Sequence, residues 1–232
     1  MKKLEISSRK FSELFWELIC KEHFMNQSQV NELLKKLKQL EYLVDQAKYK
    51  TGSISSVSGL ILYYLTKYFQ PEKILEVGTY IGKSTISMAY AMDENKTKNS
   101  YIATCDASND IKLPWKGHTK LNQYRLSTST TMMENEKDKF DFIFLDGRLQ
   151  NEDMKFLDKL CHEKTIFVLD DFEGIEKGVA NLMALQSIPN FKRYFLIRPP
   201  SSSFLKKINP FSETCPTAVF LPLSLVLFAN QG

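Results

Sequence analysis

Between residues 28 and 48 apolar side chains return every three or four positions. In "QVNELLKKLKQLEYLVDQAKYK" the residues Val30, Leu33, Leu34, Leu37, Leu40 and Val44 fall on one stripe with charge opposite, the period of an amphipathic helix. Ser28 is placed to cap it. Turn residues in "TGSISSVS" then precede a second helix, "SGLILYYLTKYF", which stops before Pro71. From Lys73 the pattern changes to short apolar runs alternating with helical segments, the signature of strand-helix-strand units and a parallel sheet. Strands are predicted near 73–78, 101–106, 123–127, 140–146 and 165–170, with helices near 82–93, 151–161 and 174–186. Pro114 and Gly117 break the crossover helix expected in 107–122, leaving a loop or a very short helix. "KRYFLIRP" and "TAVFLPLSLVLFA" are two more strand candidates with only a loop between them, which predicts an antiparallel pair at the sheet edge.

The expected fold is therefore α/β: a Rossmann-like, mostly parallel seven-stranded sheet with helices on both faces, an antiparallel C-terminal strand pair, and a helical N-terminal extension. The extension would cover 1–70 and the main domain 71–232. Composition agrees, since 232 residues at 43% hydrophobic and 25% charged can bury a substantial core. The +4 net charge arises from 31 basic and 27 acidic residues, and no stretch concentrates Lys and Arg, so no nucleic-acid partner is expected. Cys20, Cys105, Cys161 and Cys215 are isolated, which fits reduced thiols in the cytoplasm better than a disulfide framework or a zinc site. The N-terminal stretch mixes Lys, Glu and Arg where a signal peptide needs an apolar core. The longest apolar stretch, "AVFLPLSLVLFA", has 12 residues with Pro222 and Ser224 inside it, too short to span a bilayer. No membrane partner is expected. The 28–48 helix would either join two copies in a homodimer or cover the sheet.

Two of only 9 glycines fall in "ILEVGTYIGKST", residues 74–85, at the end of the first predicted strand. In an open parallel sheet ligands bind beyond the carboxyl ends of the strands, where strand order reverses. Gly78 permits a sharp turn and close approach of a ligand, and Gly82 lets the next helix start tight against the strand. A dinucleotide fingerprint needs a further glycine where Tyr80 stands, so that pyrophosphate can sit on the helix N-terminus. A ring there disfavours a nicotinamide-dependent oxidoreductase, and Glu76 favours a cationic ligand. Both point to S-adenosylmethionine, with its sulfonium and ammonium groups. Asp106 ends the second strand, where an acid accepts hydrogen bonds from ribose hydroxyls; its offset, 106 − 78 = 28, exceeds the roughly 20 residues of the dinucleotide pattern.

On these residues, with "GSISSVSG" before them, the chain resembles class I S-adenosylmethionine-dependent methyltransferases, in particular the small-molecule O-methyltransferases typified by catechol O-methyltransferase. The likeness runs from about Gly52 to Asp171. It implies that Ser53 and Ile54 line the methionine end of the cofactor and that Glu76 holds its amino group. Gly78, Tyr80 and Ser84 would shape the pocket around carboxylate and sulfonium, Asp106 would hold the ribose, and Thr128 and Ser129 would flank the adenine.

Asp146 ends "FDFIFLD", and Asp170 and Asp171 end "TIFVLDD", so three carboxylates should meet at one rim. Like charges so close repel unless a cation sits among them or one takes a proton, and oxygen ligands at this density suit Mg²⁺. The resembled family holds a divalent metal with an Asp after the fourth strand and an Asp-Asn pair after the fifth. Alternatively, Asp171 caps the following helix. The family's catalytic lysine lies three residues after the strand-four acid, where this chain has Leu149. Arg148 cannot act as a base but can grip an anionic acceptor, and His118 is a candidate base or a surface residue. The methyl acceptor would be a small molecule. A non-catalytic S-adenosylmethionine-binding protein is the reading that follows if Leu149 marks lost chemistry.

Overall fold

The computed structural model describes residues 8–22, 25, 27–48, 52–208 and 214–228. Helices α1 (Ser8–Glu22) and α2 (Gln27–Gln39) lead into a 3₁₀ turn at Leu40–Gln46 and then α3 (Ser56–Phe69). Ser28 lies inside the first turn of α2 rather than at its cap. The cap that the sequence does supply belongs to α3, where the Ser55 hydroxyl accepts from Ser58 N at 3.0 Å. α3 ends at Gln70, in the left-handed conformation before Pro71.

The sheet follows: β1 (Lys73–Val77), α4 (Lys83–Asn95), β2 (Tyr101–Asp106), β3 (Lys120–Arg125), α5 (Ser129–Asn135), β4 (Phe142–Leu145), α6 (Met154–Leu160) and β5 (Ile166–Leu169). After a π-helical turn at Ile175–Val179 come α7 (Ala180–Leu185), β6 (Tyr194–Ile197), α8 (Ser202–Ile208), β7 (Ala218–Pro222) and α9 (Leu223–Phe228). The seven strands are ordered β3-β2-β1-β4-β5-β7-β6. β1 to β5 are parallel, and β7 runs antiparallel between β5 and β6.

Four predictions need correction here; one is the run "TAVFLPLSLVLFA", which is strand only to Pro222 and then continues as α9. The third strand begins at Lys120, three residues before the predicted start; as an edge strand with half-buried side chains it lacks the apolar run that marks its neighbours. The segment between the last two strands is not merely a loop, because α8 buries Phe204, Leu205 and Ile208; residues 209–213 of that stretch lie outside the described ones. The helix predicted at 174–186 opens as a π turn.

Strand residues alternate between two cores. Ile74, Ile102, Phe142, Phe144, Ile166 and Val168 face the layer that contains α1 to α4, while Leu75, Ala103, Ile143, Leu145, Phe167 and Leu169 face that of α5 to α7. Burial on both faces explains the continuous apolar strands, and each buried Val, Leu, Ile or Phe side chain contributes about 1.5–3 kcal/mol. The α2 stripe is used inside the chain: Val30, Leu33, Leu37 and Leu40 are buried in the first core. α1 adds Phe15, Trp16 and Ile19, and the Trp16 indole donates to the Arg198 carbonyl at 2.8 Å. The cysteines are all unpaired. No helix of the described residues is long and apolar enough to cross a membrane.

Candidate active site

Strand order reverses between β1 and β4, and the turns after these strands touch. Gly78 has φ +104°, and a Cβ on it would lie 2.7 Å from Gly147 N and 3.0 Å from the Asp146 carbonyl carbon. Only glycine meets both conditions. Tyr80 is also left-handed, at φ 44°, and its N–H donates to Asp106 Oδ2 at 2.8 Å. Two residues before Gly78, Glu76 is fully buried. Its Oε2 accepts from the Thr85 hydroxyl, whereas Oε1 has no hydrogen-bond partner among the described residues. Burial pushes the carboxyl up to about 7 against the opposing Ser84, Thr104 and Thr85 hydroxyls, and Asp146 pushes the same way.

Asp106 Oδ1 accepts from Ser108 N and Asn109 N at 2.8 Å each, so this acid shapes the loop after β2 as well as the Gly78 turn. The Thr128 hydroxyl caps α5 by accepting from Thr131 N. Ser129 and Thr130 donate to the fully buried Asp153 at 2.6 Å each. A cavity of about 350 Å³ is lined by Gly78, Tyr80, Asp106, Thr128, Ser129, Asp146 and Arg148. An adjoining one of about 340 Å³ shares Gly52, Asp146 and Lys177 with it and adds Ser53, Ile54, Asp170 and Asp171. Gly82 and Ser84 stand behind the turn: Gly82 precedes α4 as its cap, and Ser84 is buried.

Asp146, Asp170 and Asp171 come together, with one oxygen from each within 4.8 Å of the others. Among them stands Lys177, whose Nζ is 3.0 Å from Asp146 Oδ1 and 3.6 Å from Asp171 Oδ2. Asp170 accepts from the Thr217 hydroxyl at 2.6 Å. Burial raises the Asp170 carboxyl to about 7, with Asp146 adding to the effect, Thr217 opposing it and Asp171 adding again. Burial raises Asp146 too, against the pull of the Lys177 ammonium. For Lys177 burial acts downward, but Asp146, Asp171 and Asp170 outweigh it and hold the ammonium above the ordinary lysine range.

A divalent ion fits the three carboxylates by ligand chemistry but not alongside this ammonium, which sets positive charge against two of them and, while protonated, has no lone pair to donate. The donor set as built is closed by Lys177.

The π turn delivers that lysine. Val179 N donates to Gly174 O at 3.0 Å, and Gly178 packs so close that a Cβ would sit 2.2 Å from Asp171 O. Asn181 then ties the turn to the loop after β4, donating to Gly147 O and accepting from Leu149 N at 2.9 Å each. The sequence reading missed Lys177, Asn181, Gly147 and Asp153. "EKG" beside the acid pair was the available signal, but a π turn shifts the phase on which a helical reading depends.

His118 is not brought to this site. It is exposed in the loop before β3, its N–H donating to Asp93 Oδ2 near the end of α4, so it stands at the opposite rim of the sheet. Trp115 is a packing plug, edge-on to Tyr90 with its indole bonded to Thr119 O. Leu149 is buried in the second core.

Residues 75–172 match the sequence model of a family described as "Methyltransferase domain". No curated protein matches the chain. Solved structures share its fold across nearly the whole length. An O-methyltransferase from Bacillus cereus in complex with SAH is 17% identical, with 91% of this chain and 97% of that one covered and a TM-score of 0.54. The O-methyltransferase TomG from Streptomyces achromogenes, involved in tomaymycin synthesis and in complex with SAM, is 14% identical, with 94% and 99% covered and a TM-score of 0.54. The SAH-bound Podospora anserina methyltransferase PaMTH1 is 14% identical, with 96% and 99% covered and a TM-score of 0.53. The chain thus shares its Rossmann-like α/β fold with these methyltransferases, and its middle matches the model of a methyltransferase domain.

Proposed function

We propose that this chain, whose residues 75–172 match a methyltransferase-domain model, carries a methyl group from S-adenosylmethionine to a hydroxyl of a small molecule. When bound, S-adenosylmethionine supplies a methyl carbon made electrophilic by its sulfonium, open to in-line displacement. The observation that carries the reading is Glu76, a fully buried carboxylate near the end of β1 with one oxygen unpartnered among the described residues. An ammonium group supplies the charge and the donor that this oxygen lacks. Gly78 lets its turn pack directly against the turn after β4, and it lines the first cavity, so a ligand there meets backbone. Asp106 Oδ2 accepts one amide and keeps capacity for a ribose hydroxyl, while Thr128 and Ser129 flank the base.

The chain's contribution to rate is then alignment and exclusion of water. Asp146 lies on the wall of both cavities, and burial raises its proton affinity, which suits it to receive the acceptor's proton. Arg148, also on the wall, would hold an anionic part of the acceptor. Mg²⁺ at Asp146, Asp170 and Asp171 would require Lys177 to leave, and no step is assigned to it.

Calorimetric titration with S-adenosylmethionine tests the reading, run with Mg²⁺ and with chelator, beside Gly78→Arg and a parallel NAD titration. Binding that Gly78→Arg abolishes is expected. Heat with NAD and none with S-adenosylmethionine would overturn it.

A further inference from the structure

We propose that Lys177 is the resident cation of the Asp146, Asp170 and Asp171 cluster, excluding a divalent ion and presenting its ammonium in place of one to the acceptor's oxygen. Three features make this a built arrangement rather than a surface ion pair. The ammonium reaches two of the three acids at once, 3.0 Å from Asp146 and 3.6 Å from Asp171. The backbone beneath it is a π turn, a departure from the α-helix that concentrates at functional positions, and Gly178 lets that turn sit against Asp171 where any side chain would collide with its carbonyl. Asn181, buried, fastens the turn to Gly147 and Leu149 directly after Asp146, so the lysine and its first partner are held in one frame.

Charge argues the same way. Three carboxylates within 4.8 Å of one another need a cation, and a lysine already 30% exposed on the wall of both cavities meets that need while leaving ammonium hydrogens to donate to a bound oxygen. A divalent ion added beside it would face like charge at contact distance.

The part played toward the acceptor rests on the methyl-transfer reading; the exclusion of metal does not. The test is therefore Mn²⁺ titration, followed by the paramagnetic resonance of the free ion, on the wild-type chain, Lys177→Met and Lys177→Gln, with thermal unfolding to show which variants fold. Wild type should take up no Mn²⁺ under conditions where a folded variant binds one ion at least about tenfold more tightly. Wild-type uptake as tight as the variant's overturns the proposal, and so does a folded variant that binds none. Because the titration reads the carboxylates directly, it can fail while S-adenosylmethionine binding succeeds, or succeed while that binding fails.

Discussion

Replacing Glu76 with Gln should change how the protein's stability depends on pH. Burial pushes this carboxyl up to about 7 when folded, against 4.5 for an unperturbed glutamate. Below pH 4.5 both folded and unfolded chains carry the proton, and the group contributes nothing to the slope. Between the two values the folded chain keeps a proton that the unfolded chain releases, so stability falls as pH rises, by about 1.4 kcal/mol per pH unit and about 3 kcal/mol in all. Above pH 7 the loss is complete and constant. Glu76→Gln removes this contribution and leaves every other titrating group in place. Urea denaturation from pH 4.5 to 8 should thus show the variant gaining about 3 kcal/mol relative to wild type across that window. Parallel profiles would refute the reasoning, because they would mean that Glu76 ionises in the folded chain as it does in water. Cofactor binding carries the complementary signature: if an ammonium rests on ionised Glu76, wild-type affinity should weaken by about tenfold for each pH unit below 7, and Glu76→Gln should bind weakly throughout.

Asn181→Ala leaves the Gly147 carbonyl and the Leu149 amide without the partner they share, at about 1–3 kcal/mol each; loss of less than about 1 kcal/mol in urea would show that water replaces the side chain. Gly178→Ala places a methyl 2.2 Å from Asp171 O and 2.6 Å from Phe172 Cα, so the backbone must shift. It should lower stability by about 1–3 kcal/mol, and calorimetry should show a melting temperature lower by about 2–4 °C per kcal/mol. Asp106→Ala strips three amides, those of Tyr80, Ser108 and Asn109, of a charged acceptor. It should cost about 1.5–3 kcal/mol or more and weaken S-adenosylmethionine binding by at least about tenfold, whereas Asp106→Asn should retain part of both; wild-type affinity in Asp106→Ala would remove this acid from the cofactor site.

The sheet was readable because its strands are buried on both faces. Runs such as "FDFIFLD" need no partner to be recognised, and strand ends placed beside strand ends bring Gly78, Asp106, Asp146 and Asp170 to one edge without further information. Where burial is one-sided the reading weakened. β3 carries "KLNQYR" with half-buried side chains, and its position follows from register with β2, which no local pattern encodes. α8 was concealed by flanking prolines, although its signals are present: Ser201 accepts from Phe204 N, and Phe204, Leu205 and Ile208 have helical spacing. His118 illustrates the opposite error. A histidine in a loop suggests chemistry, but the loop before a strand lies at the amino end of the sheet, and topology alone separates it from a site at the carboxyl end.

The position after β4 where the resembled family has its lysine is closed to charge in this chain. Leu149 is buried in the second core, and its amide is held by Asn181, so this position is committed to packing, and a charged side chain there would have to be desolvated. The electrostatic requirement set by three adjacent carboxylates is independent of which segment answers it. Here the answer comes from the turn after β5, through an extra residue in that turn, a glycine where it meets Asp171, and an asparagine one turn later bonded across to the loop after β4. A cation supplied by the fold is present at every turnover and needs no binding step, but it cannot offer the several coordination positions of a divalent ion. On the proposed role of Lys177, the cluster would favour an acceptor that presents one oxygen over one that presents two adjacent oxygens for chelation.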